Sequence, residues 1–186
     1  MIDPIEKYIL ISPSGDGDSI IIEEVGRGIA DSFGLPVKIK ALLPDIDFAF
    51  DPERRQYHST SILERLALKA PPEAIKIIAL CDKDLFIPIL THVYGEAQLG
   101  GKACIISTFR LKQGLPPIDS QKIYLRRLIK EAVHELGHTF NLRHCPDSSC
   151  EMHYCRTIND VDHKSERFCH YCRVLLDDEL KRPGKF

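Results

Sequence analysis

Two histidines, His134 and His138, stand four positions apart, with Glu135 directly after the first. On an α-helix four residues amount to about 40° of rotation, so both imidazoles project from one face, one turn apart. That is a bidentate grip for a metal ion. In an H-E-x-x-H helix the carboxylate stands beside the metal, where it can take a proton from metal-bound water. Zinc used in catalysis takes three protein ligands and keeps one position open for water. His144 follows six residues after His138 and supplies the third ligand only if the helix stops and the chain turns back. Asn141 is the residue for that turn, because asparagine tolerates positive φ better than other non-glycine residues.

Paired histidines on a helix can equally be ordinary core or surface residues, so the helical wheel matters. Ile129, Val133, Leu136 and Phe140 fall within about 60° of one another and make an apolar stripe. His134 and His138 lie about 100–180° from its members. The wheel therefore directs the histidines to solvent or a cleft, on the side of Arg127 and Glu131.

Seven cysteines are present, and five crowd between Cys145 and Cys172. In a reducing compartment such crowding points to metal binding rather than disulfides. Cys145-x4-Cys150 and Cys169-x-x-Cys172 are two pairs in the arrangement of a closed, four-thiolate structural zinc site, which would hold a lobe too small for its own apolar core. A C-x-x-C can also be a redox pair, but Cys169 lacks a strand-to-helix setting and has a second pair upstream. Cys155 is left as a free thiol, or as a replacement for one of the four. His153, His163 and His170 lie among these cysteines and are read as polar surface.

The order His134-Glu135-x-x-His138-x-x-Asn141-x-x-His144, continued by Cys145-x4-Cys150-x-Met152 and Cys169-x-x-Cys172, resembles the archaemetzincin family of metzincin zinc metalloproteases. Asn141 stands where metzincins usually carry glycine, and sixteen residues separate Met152 from Cys169. The resemblance implies two Zn2+ per chain, one catalytic on His134, His138 and His144 and one structural on the four cysteines. It implies that Met152 is the methionine of a Met-turn beneath the histidines and that Tyr154 approaches the metal. It also implies an antiparallel edge strand above the metal helix, drawn from Val93 to Gln98 and including Val93, Tyr94, Gly95 and Glu96, on which a peptide or protein substrate docks by adding a strand. From the residues alone, the same stretch is equally well an unremarkable hairpin. Peptide hydrolysis would then run by attack of zinc-activated water on the carbonyl, with Glu135 taking the proton and returning it to the leaving amine. Two other readings stay open: a zinc-stabilised binding or scaffold protein whose site does not turn over, and a zinc hydrolase of non-peptide amides.

The elements that must position these residues alternate. Tyr8–Ile11 reads as a strand, the Ser12–Asp18 stretch as a plain turn rather than a phosphate cradle, and Ile20–Phe33 as a helix stopped by Gly34. Pro36–Leu43 reads as a second strand, 45–57 as a loop, and Ile62–Lys69 as a helix capped by Ser59, Thr60 and Ser61. Ala74–Leu80 is the most continuous apolar run, the expected look of a central strand buried on both faces. Thr91–Gln98 and Ala103–Thr108 flank a glycine turn. The metal helix runs from about Gln121 to Phe140 with Asp119 or Ser120 as N-cap. This alternation implies an α/β fold with a mainly parallel, twisted sheet and helices on its faces. Cys81 and Cys104 read as core thiols, Asp82 and Asp84 as a polar strand exit rather than an acid/base pair, and His58 and His92 as surface or loop residues.

With 186 residues and 44% hydrophobic content the chain allows one domain spanning 1–186. Within it, an α/β part over 1–140 precedes a cysteine-rich lobe over 141–186. The net charge of −2, without a dense basic run, gives nucleic-acid binding no electrostatic support. Met1-Ile2-Asp3-Pro4 is no signal sequence, no apolar run reaches membrane-spanning length, and no prosegment is evident. The expectation is a cytoplasmic monomer with no membrane partner.

Overall fold

The computed structural model describes residues 7–15 and 18–182. The Met1–Pro4 start and Asp16 and Gly17 of the first loop lie outside the described residues. The chain alternates as expected through β1 (Tyr8–Pro13), α1 (Ser19–Phe33), β2 (Val37–Ile39), β3 (Phe50–Asp51), β4 (Gln56–His58), α2 (Ser59–Leu68) and β5 (Ala74–Cys81). It continues through β6 (Leu85–Phe86), β7 (Gly95–Ala97), β8 (Ala103–Ser107), α3 (Ser120–Thr139), α4 (Ile158–His163) and α5 (His170–Lys181).

The main sheet has the order β2-β1-β5-β8-β7. All neighbours are parallel except β7, which runs antiparallel to β8 and forms the edge. Every residue of β5 is buried, because helices cover both faces of the central strand. Alternation sorts the side chains. Ile9, Ile11, Ile78 and Ile106 face α1 and α3, while Leu10, Ile77, Ala79 and Ile105 face Ile62, Leu63 and Leu66 of α2. Each of those α2 side chains contributes on the order of 1.5–3 kcal/mol on burial, enough to hold a ten-residue helix that would not persist alone. At the start of α1, Asp18 accepts from the Ile20 N–H at 2.9 Å, and Gly34 closes the helix at φ 66°.

Several local expectations are corrected. The second strand is confined to Val37–Ile39; Lys40 still donates to the Ile11 carbonyl of β1 at 3.0 Å, and regular pairing ends there. The 45–57 stretch is not wholly loop: a 3-10 turn (Asp47–Ala49) leads into β3 and β4, which form a small sheet with β6. Helix α2 begins at Ser59 itself, and the hydroxyls of Ser59 and Thr60 reach across to the Glu96 carboxylate. Asp119 does precede α3, but at φ 60° its side chain makes no capping bond. The edge strand is shorter than 93–98. Val93 forms an isolated antiparallel bridge with Leu85, Tyr94 accepts from Ser107 through its carbonyl, and the regular strand is Gly95–Ala97.

Helix α3 lies across the sheet and is buried on most of its circumference. Leu128, Ala132 and Leu136 face the sheet, and the chain beyond Asn141 folds over the opposite side. Two helices that the sequence pattern did not reveal, α4 and α5, lie in that returning segment. Cys169 caps α5 by accepting from the Cys172 N–H. None of the described helices is long and apolar enough to cross a membrane.

Candidate metal centre

Helix α3 ends at Thr139, and Asn141 takes φ 67°, the left-handed conformation that reverses the chain. The reversal returns His144 to the helix. Ligand atoms of His134, His138 and His144 all lie within 4.8 Å of one another, and the His134 and His138 Nε2 atoms are 3.2 Å apart. Zinc–nitrogen bonds of about 2.0–2.1 Å in tetrahedral array would separate two ligand nitrogens by about 3.3 Å. His134 Nδ1 donates to the Glu151 carbonyl at 2.9 Å and His138 Nδ1 to the Leu142 carbonyl at 2.7 Å. A carbonyl only accepts, so in the neutral ring the proton sits on Nδ1 and Nε2 presents a lone pair.

Burial, the Lys164 charge and neighbouring histidines hold His134 well below the usual imidazole range. Burial brings His138 down to about 4, and burial lowers His144. Two lone pairs facing each other at 3.2 Å are repulsive unless a cation lies between them, so the donor set fits zinc.

The wheel's expectation about exposure is half right. The histidines face a cleft, one of the two settings the wheel allowed, with His134 5% exposed and His138 partly exposed, whereas Arg127 and Glu131 on the same side are each only 3% exposed. The folded-over segment covers them. Arg127 forks onto the Asp162 carboxylate at 2.7 Å from two nitrogens. Glu131 lies 2.9 Å from the fully buried Lys164, which also reaches Glu151 at 3.2 Å. This buried cation between two carboxylates was not legible, because Glu131, Glu151 and Lys164 share no motif.

Glu135 is buried beside the histidines, where burial and then the charge of Glu131 push its carboxyl well above the ordinary range. A divalent cation at the histidines would pull it back down. Met152 is fully buried, its sulfur 2.5 Å from where a Cβ on Gly137 would stand, so only glycine there lets it lie directly under the helix turn between His134 and His138. The Tyr154 ring lies 4.9 Å from that of His144. These groups open on a cleft of about 810 Å³, walled by the Val93–Ala97 stretch on one side and by Tyr154, Cys155 and Arg156 on the other. His92, in the loop before Val93, also lines it.

A second cluster lies nearby. The sulfurs of Cys145, Cys150, Cys169 and Cys172 all fall within 4.8 Å of one another, with Cys145 and Cys169 at 3.8 Å. Zinc–sulfur bonds of about 2.3 Å in tetrahedral array imply about 3.8 Å. None of these thiols is in a disulfide, and Cys155 stands apart with its sulfur toward the His153 carbonyl. His153 and His163 bond backbone carbonyls. Asp84 is held by Arg110 at 2.6 and 2.8 Å, and Cys81 and Cys104 are buried in the core.

Comparison with known proteins is consistent with these geometries. Residues 51–178 match peptidase family M54. The chain belongs to that family. An archaemetzincin from Methanopyrus kandleri is 36% identical over 170 residues, covering 89% of this chain and 91% of the relative. A crystal structure of archaemetzincin from Methanopyrus kandleri superposes with a TM-score of 0.82 at 32% identity, covering 97% and 98% of the two chains. A zinc-dependent peptidase from Methanocorpusculum labreanum superposes at 0.80 with 25% identity, covering 90% and 99%. As a member of family M54 the chain is a zinc-dependent metallopeptidase, and a purely structural role for the H-E-x-x-H site is not favoured.

Proposed function

We propose that His134, His138 and His144 hold the catalytic zinc of this peptidase, and that Cys145, Cys150, Cys169 and Cys172 hold a second, structural zinc that stabilises the 141–186 segment as a subdomain on the 1–140 part. The observation that carries this reading is the 3.2 Å approach of two Nε2 lone pairs, each fixed by an Nδ1–H bond to a carbonyl. Zinc there supplies Lewis-acid polarisation of the scissile carbonyl and acidifies the attacking water. Glu135 acts as general base on that water and then passes the proton to the leaving amine. Its burial keeps bulk solvent from competing for the proton.

Substrate binding follows from the edge. A peptide laid beside Val93, Tyr94, Gly95 and Glu96 would extend the sheet at its antiparallel edge, next to the cleft that these residues line. Met152 supports the histidine floor, and Tyr154 stands over His144, where it can reach a substrate oxygen. The clustered thiols, none of them in a disulfide, support a reducing, cytoplasmic setting. Zinc per chain, measured on wild type and His138→Ala, tests the ligand set. Two zincs falling to about one is the expected outcome; a count unchanged by the substitution refutes it. Cleavage of a peptide library by wild type and its loss in Glu135→Ala tests the base.

A further inference from the structure

Gly95 occupies the edge strand directly over the Glu135 side chain. A Cβ built on Gly95 would stand 2.6 Å from Glu135 Cγ and 2.9 Å from its Cδ, and 2.7 Å from the Ile105 carbonyl oxygen on the other side. The stem of the glutamate therefore fills the space that any other residue at position 95 would use for its own side chain. One wall of that space cannot yield. Ile105 belongs to β8, which is paired on both sides by β5 and β7. The opposite wall is a side chain whose torsions can turn.

Resting on the reading of Glu135 as the general base, we propose that Gly95 is a positioning residue: its missing side chain is the seat that sets where the Glu135 carboxylate stands relative to the three histidines. Glu135 reaches the centre from a helix, and no hydrogen bond from another described residue orients its carboxylate. Its position is fixed by packing against bare backbone. An added methyl must push Cγ from 2.6 Å to at least about 3.4 Å, the near edge of ordinary contact, a shift of about 0.8 Å at the stem that carries the carboxylate with it. Misplacement of a reacting group by about 1 Å can lower a rate on the order of 100-fold. His134 directly precedes Glu135, His138 lies one turn on and His144 lies beyond the end of α3; the atoms nearest a Cβ at Gly95 belong to Glu135 and Ile105 rather than to a histidine, so zinc is expected to stay bound.

The experiment compares zinc-loaded wild type, Gly95→Ala, Glu135→Ala, the double variant, and Gly28→Ala. Gly28 is a matched control, because its Cβ would crowd Ile129 at 2.7 Å on the far side of α3 from the cleft. Turnover is read with an internally quenched peptide selected from the library, zinc by elemental analysis, and stability by thermal melting. Gly95→Ala is expected to keep wild-type zinc, lower kcat on the order of 100-fold and leave KM within about threefold. Gly28→Ala lowers the melting temperature with kcat intact. In the Glu135→Ala background, where no Cγ remains to be struck, the melting-temperature loss from Gly95→Ala is at least halved. The proposal is overturned by an unchanged kcat, by a rise in KM alone, which would mean that the edge strand moved instead, or by an equal melting loss in both backgrounds. If Glu135→Ala itself retains wild-type turnover, the assignment of the base fails and the positioning role fails with it. A dead Glu135→Ala beside an unimpaired Gly95→Ala sinks the positioning role alone.

Discussion

Replacing Lys164 by methionine tests the part of the site that lies behind the histidines. Its ammonium is fully buried, 2.9 Å from Glu131, 3.2 Å from Glu151, and 3.2 Å from the Glu151 carbonyl that also accepts from His134 Nδ1. Methionine fills a similar volume but leaves two buried carboxylates without their cation. Removing one partner of a buried ion pair costs about 3–5 kcal/mol. For a chain of this size about 1 kcal/mol corresponds to roughly 2–4 °C, so the melting temperature should fall by about 6–20 °C. The loss should depend on pH. Burial raises the folded-state pKa of Glu151 to about 8, above an unfolded value of about 4.3, so the folded state binds more protons between these values and the group costs stability as pH rises through that window. Without the lysine the proton is held more tightly still. The penalty should therefore be smaller at pH 5 than at pH 8. Adding Glu131→Gln and Glu151→Gln to Lys164→Met should recover much of the loss, since the unpaired charges go with the lysine. Scanning calorimetry at the two pH values measures all of this. A melting temperature within 2 °C of wild type, or a penalty larger at pH 5, would refute the account of Lys164 as the cation that makes this burial tolerable. Zinc affinity is expected to drop about 10–100-fold, because the carbonyl that orients His134 loses a partner.

Other perturbations separate the remaining supports. Cys172→Ser should release one zinc equivalent and lower the melting temperature, with proteolysis starting in 141–186; an undiminished zinc count would dismiss the four-thiolate site. At Asn141, held at φ 67°, glycine should be nearly neutral, whereas valine should destabilise by about 1–2 kcal/mol or more and weaken zinc binding through a displaced His144. Denaturant titration of the pair settles it, with equal midpoints counting against a conformational role. Lys76 donates at 2.7 Å to both the Gly101 and Thr139 carbonyls, joining the glycine turn to the end of α3. Lys76→Met should cost about 2 kcal/mol or more and raise KM by loosening the edge strand, a shift visible in steady-state kinetics.

How much of this was legible in the sequence depended on whether the signal was local. The histidine and cysteine spacings are covalent facts about a short stretch, and a helix of 3.6 residues per turn converts them directly into geometry. Asn141 marked the reversal for the same reason, since positive φ is a property of one residue. The continuous apolar run at Ala74–Leu80 marked a strand buried on both faces, observed over Ala74–Cys81. Exposure on α3 was misjudged because a helical wheel knows only one helix. Arg127, Glu131 and His134 are buried by a segment that returns from beyond Asn141, and their partners Asp162, Lys164 and Glu151 come from positions with no periodic relation to them.

The same limit separates what the sequence determined from what only the tertiary structure decided. The chemistry of the site, its donor types and their order along the chain were written in residue identities and spacing, because ligand chemistry and local backbone preference act over a few residues. The seat of Glu135 under Gly95, the buried Lys164 and the cleft itself were decided by packing between elements distant in sequence. Close approach of two backbones and the pairing of buried charges exist only once the sheet, α3 and the folded-over segment have met.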